Sequence, residues 1–119
     1  MELKITAIGD KGDLKNERIG LKATSDCQLK YYQLFRTNFH KSGGFYNRSE
    51  SVYWFAPEEV KSGDRIVIYT TSGTDSVREN DDGSKTYFLY WGLSSPIFTD
   101  DTKGVVLVEI SSWKTSKGK

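Results

Sequence analysis

One histidine, His40, and one cysteine, Cys27, are all the imidazole and thiol chemistry in this chain of 119 residues. A two-histidine metal site is therefore out of reach, as is a hydrolase centre that needs one imidazole as base and another as ligand. His40 lies between Phe39 and Lys41 in a polar stretch and reads as a surface residue. Cys27 would act as a nucleophile only in an electropositive, partly exposed pocket; just after Thr24-Ser25-Asp26 it reads as a small filler near a turn. With no second cysteine, neither an internal disulfide nor a thiolate cage can form, which fits a reducing cytoplasm.

The carboxylates add little chemistry. Asp81-Asp82 and Asp100-Asp101 offer the hard oxygens that calcium takes, but neither has the spacing of a calcium loop, and both read as solvated turns. Gly9-Asp10-Lys11-Gly12-Asp13 lacks the glycine placement of a phosphate loop. Asp75 with Tyr90 or Lys85 is the remaining acid-base combination, and no spacing singles it out. The inventory predicts a non-catalytic chain with no metal and no cofactor.

Binding is the alternative to catalysis, and one segment stands out for it. From Cys27 to Ser49 there are four basic residues, six aromatics and no Asp or Glu. Aromatic faces beside cations can stack on bases while phosphates are paired. Tyr31, Tyr32, Phe35, Arg36, Lys41 and Arg48 are the candidate residues for single-stranded nucleic acid or another polyanion. The whole chain carries 17 basic and 16 acidic residues, a net charge of +1, which argues against general nucleic-acid binding. The plainer reading sends half of these rings into a core and solvates the charges, and the same rings without the charges suit a protein interface. Later turns carry Asp75, Glu79, Asp81, Asp82, Asp100 and Asp101 against Arg78, Lys85 and Lys103. If these acidic turns lay at the pole opposite the basic segment, a homo-oligomer would follow from charge.

The elements that must position these residues are strands. Leu3, Ile5 and Ala7 alternate with polar neighbours, as do Ile19, Leu21 and Ala23, at the period of two expected of half-buried strands. Further strands are predicted from Leu29 to Arg36, Val52 to Phe55, Arg65 to Thr71, Thr86 to Trp91 and Val105 to Ile110. Thr37 to Ser51 reads as a long loop or ragged hairpin, Arg78 to Lys85 as a solvated turn, and Pro57 to Lys61 as about one helical turn. These brief strands predict an all-β fold, an immunoglobulin-like β-sandwich of about seven to nine strands, with a small β-barrel as the alternative. Residues 1–113 form the single predicted domain, and 114–119 a flexible basic tail. Apolar runs such as Ile66 to Tyr69 are far too short to span a bilayer, and Glu2 and Lys4 interrupt any signal-peptide core, so no membrane association is expected.

From Glu17 to Ile110 the order of motifs resembles the lamin-tail domain in its bacterial form. Phe55-Ala56-Pro57 leads through Val60-Lys61-Ser62-Gly63-Asp64 into Val67-Ile68-Tyr69, then Ser72-Gly73-Thr74-Asp75, then Leu89-Tyr90-Trp91-Gly92. The family's Trp-Asn-Asn turn and its Gly-Asp before the last strand are replaced here by Ile97 to Gly104. The resemblance implies an immunoglobulin-like sandwich without common catalytic residues, working as a binding or tethering module for a protein partner or another copy of itself. It does not carry over a partner.

Overall fold

A computed structural model describes residues 1–118. Ten strands follow one another: β1 (Leu3–Gly9), β2 (Arg18–Ala23), β3 (Cys27–Gln28), β4 (Tyr32–Asn38), β5 (Glu50–Trp54), β6 (Glu59–Val60), β7 (Arg65–Tyr69), β8 (Ser76–Glu79), β9 (Lys85–Tyr90) and β10 (Lys103–Glu109). A five-stranded sheet has the order β1-β2-β7-β9-β8, a three-stranded sheet the order β10-β4-β5, and β3 pairs with β6 in a short ribbon. All pairings are antiparallel except β7 with β9. The sheets enclose one core and do not close into a barrel, so the predicted all-β sandwich is the observed fold.

The core follows from the period-two alternation. Ile19, Leu21 and Ala23 of β2, Ile66 and Ile68 of β7, and Tyr32 and Leu34 of β4 all point inward and are buried, joined by Leu3, Leu29, Phe55 and Val60. Register is set by this pattern, because a slip of one residue would turn every apolar side chain outward.

Three local expectations are corrected. The strand predicted from Leu29 begins at Tyr32, because Leu29–Tyr31 is a 3-10 turn whose cap, Gln28, accepts the Lys30 N–H with its side chain. Pro57 to Lys61 is extended rather than helical: Leu29 N–H donates to the Glu58 carbonyl and Cys27–Gln28 pairs with Glu59–Val60. The first residues of the predicted 78–85 turn belong to β8, which draws its order from its ladder with β9 and not from apolar alternation of its own. Thr37 to Ser51 is a hairpin, tied by a Phe39 to Phe45 bridge and a His40 N–H to Gly44 carbonyl bond. Lys114 to Gly118 has no regular structure and is exposed; Lys119 lies outside the described residues.

Candidate binding face

The six residues singled out in the sequence do not converge. Tyr32 is 1% exposed, with its hydroxyl directed at Glu2 and Glu109, so its ring cannot stack on a ligand. Tyr31 and Phe35 lie on the outward side of the three-stranded sheet. Alternation turns Arg36 to the opposite side from Phe35, where it stands 3.9 Å from Glu50. Lys41 and Arg48 sit in the hairpin connecting β4 to β5. The acidic Asp101 lines the same cleft as Lys41, so this part of the acidic set is not at an opposite pole, and the charge argument for head-to-tail association loses its geometry.

What the fold does assemble is an apolar sheet face. In the three-stranded sheet Leu34, Tyr53, Val105 and Leu107 point into the core. Their neighbours Gln33, Phe35, Val52, Trp54, Val106 and Val108 therefore point outward, and none of these strand positions is charged. Cross-strand rows run Val108, Gln33, Trp54 and Val106, Phe35. Such side-by-side pairs are what stabilise a sheet surface.

An aromatic cluster closes each end of this face. At one end the Trp54 and Trp113 rings meet edge to face at 5.0 Å, with Tyr31 6.0 Å from Trp113. The Trp54 indole N–H donates to the Lys30 carbonyl at 2.8 Å, and the Lys30 ammonium stands 5.2 Å over the Tyr31 ring, so the cluster is held in place. At the other end Phe45 lies 6.5 Å from Phe35 and 6.0 Å from Phe39. The Phe39 ring covers Gly104, where a side chain would meet it at 2.5 Å, which is why glycine stands there. Of the nine exposed large apolar residues among the described ones, Tyr31, Phe45, Val52, Trp54 and Trp113 belong to this one face, a concentration that scattered surface residues would not give.

The reactive groups are employed elsewhere. The Asp82 carboxylate accepts the Ser84 hydroxyl and N–H, and Asp100 accepts those of Thr102, which pulls both carboxyls below their ordinary range. Both clusters close turns. Asp75 accepts the Tyr90 backbone N–H at 3.2 Å. Burial, reinforced by Glu2, Asp26 and Glu109, pushes the Cys27 thiol up, away from the thiolate. The His40 ring lies 4.0 Å from that of Tyr46. Among the described residues no group of three or more His, Cys, Asp or Glu is placed to hold a metal ion.

No protein-family model matches the chain, and no curated protein matches it. Fold and surface therefore carry the functional reading. Among the described residues no helix is long and apolar enough to cross a membrane.

Sequence reasoning missed Trp54, Trp113, Val106 and Val108 as members of one face. A signal was present in β10: Val105-Val106-Leu107-Val108 is apolar at both parities, the pattern of a strand covered on both sides, whereas a strand with one wet face alternates.

Proposed function

We propose that this chain is a non-catalytic binding module of the cytoplasm that docks a protein partner on the outward face of its three-stranded sheet. The observation that carries the reading is the uncharged face of Phe35, Val106, Val108, Gln33 and Trp54, with an aromatic cluster at each end. Trp, Tyr and Phe are the residues that dominate the desolvated centre of interfaces, and a flat apolar face suits a partner's sheet or helix face of the same character. The lamin-tail resemblance supports the same class of function, since it implies a tethering domain without a reaction centre.

The test uses the indoles already on the face. Partner binding shifts Trp54 and Trp113 fluorescence to the blue and shields them from a neutral quencher, and the paired variant Trp54→Ser with Val108→Lys loses the partner while keeping its circular dichroism. A partner retained by that variant at unchanged affinity would place the interface elsewhere.

Single-stranded nucleic acid or polyanion binding through residues 27–49 is the alternative. It draws less support, because Tyr32 is in the core and Arg36 is turned toward Glu50. Fluorescence anisotropy of a labelled oligonucleotide at low salt decides it: steeply salt-dependent binding that weakens with Arg36→Ala would favour it, and a flat trace would end it.

A further inference from the structure

β10 is the last strand of its sheet. It pairs with β4 along its whole length without a bulge, and among the described residues no strand pairs with its other edge. Such edges are ordinarily blunted by bulges, shortness or charges within the strand. β1 has a register shift between Ile5 and Ala7, β5 is bulged opposite the step from Leu34 to Arg36, and β8 is four residues long with Arg78 and Glu79 in it. Nothing of the kind interrupts β10. Its charges stand only at its two ends, Lys103 and Glu109, with Gly104 to Val108 uncharged between them.

The phase of the ladder says which backbone groups are free. Phe39 N–H donates to the Thr102 carbonyl at 2.6 Å and Ile110 N–H to the Tyr31 carbonyl at 2.7 Å. Antiparallel pairs alternate between bonded and unbonded, so even-numbered residues of β10 bond β4. Val105 and Leu107 then direct N–H and C=O off the open edge, together with Glu109 and the Lys103 carbonyl; the Lys103 N–H closes the Asp100 turn.

We propose that this edge pairs antiparallel with β10 of a second copy of the chain, about a two-fold axis through Val106. That register sets Val105 opposite Leu107 of the second copy, so free groups meet free groups. It also sets Lys103 opposite Glu109 of the second copy, twice, by symmetry. A shift of one residue sets free groups against groups already bonded to β4. A shift of two leaves Lys103 facing Leu107 and both ion pairs unmade. An isologous contact needs a self-complementary surface, and a strand with a cation at one end, an anion at the other and an apolar middle is one. Pairing would join two three-stranded sheets into one of six strands.

The edge is distinct from the proposed docking face, and the two fail separately. Sedimentation equilibrium of the whole chain over a concentration series is expected to show a reversible monomer and dimer. Lys103→Glu or Glu109→Lys alone should weaken the dimer about tenfold, and the two together should restore it. Hydrogen exchange gives a residue-level readout: the Val105 and Leu107 amides gain protection as concentration rises, while the Val106 amide is protected throughout. A chain that stays monomeric up to about 1 mM overturns the proposal. So does a dimer that is indifferent to the charge swap and leaves the Val105 and Leu107 amides unchanged.

Discussion

The Thr70 hydroxyl donates to Oε1 of Glu17 at 2.6 Å, and both residues are wholly shielded from water. The same carboxylate accepts the Ile97 N–H on Oε1, and the Gly12 and Phe98 N–H groups on Oε2. One side chain thus ties the turn after β1, the end of β7 and the long connection to β10. Four donors offset the cost of removing the carboxylate from water, and losing part of that set leaves buried groups unsatisfied.

Glu17→Gln is therefore expected to lower stability by about 3 kcal/mol. In either orientation the new amide nitrogen faces a backbone N–H that needs an acceptor. Urea unfolding measures it; a loss below about 1 kcal/mol would show that water replaces the missing acceptor.

Alkaline pH should loosen the fold through buried phenols. Burial, with a contribution from Asp75, pushes Tyr53 up to about 12, and burial likewise raises Tyr32 and Tyr87. A phenol whose folded pKa exceeds its unfolded value contributes stability that is complete below about pH 10 and is lost as pH rises toward the folded value. The urea midpoint should fall above that pH, and Tyr53→Phe should flatten part of the decline. Phenolate absorbance should show these three of the seven tyrosines ionising late.

At acid pH the sign reverses. Hydrogen bonds from Ser84 hold the Asp82 carboxyl down, and those from Thr102 hold Asp100 down. Their contribution is present above the unfolded carboxylate value of about 3.9 and disappears as pH falls through the lower folded values. Carboxyl carbon titration by NMR should find both midpoints below those of exposed carboxylates that accept no such hydrogen bonds, and Asp82→Ala should return the Ser84 amide to rapid exchange.

Ser51 has a φ of 48°, at the bulge where Leu34 pairs with Tyr53 but Arg36 pairs with Glu50. A side chain is strained there, and glycine is not. Ser51→Gly should raise stability by up to about 1 kcal/mol, and Ser51→Val should lower it by a similar amount, read as opposite shifts of Tm.

The alternation in β2 was legible, because Ile19, Leu21 and Ala23 are the face the core buries, and β7 was marked by β-branched and aromatic residues at nearly every position. In β1 the predicted face of Leu3, Ile5 and Ala7 holds only at Leu3, since the register shifts between Ile5 and Ala7 and leaves both exposed. β3 and β6 are two residues each, too short for any period to mark, and β8 has Val77 as its sole apolar residue. The binding face was legible only in pieces. Tyr31 and Phe35 drew notice through composition, but which side of a strand a ring takes depends on where the strand begins, and the 3-10 turn at Leu29–Tyr31 moved that start. Glu17 could not be found by spacing, since its donors Thr70, Ile97 and Phe98 are far away in sequence and two of them are backbone groups.

The parallel pairing of β7 with β9 has a consequence for the chain as it is made. β8 lies beyond β9, so β7 has no neighbour on that side until Lys85 to Tyr90 arrives. A nascent chain that has extended only to Glu79 shows the Val67 and Tyr69 backbone to whatever is nearby, since Ile66 and Ile68 bond β2. Pairings between distant segments form slowly, and an unfilled slot in a half-built sheet is where foreign strands insert. Translation pausing just before Lys85 would thus be the most hazardous moment in this protein's synthesis, and completion of the six residues of β9 the safest remedy.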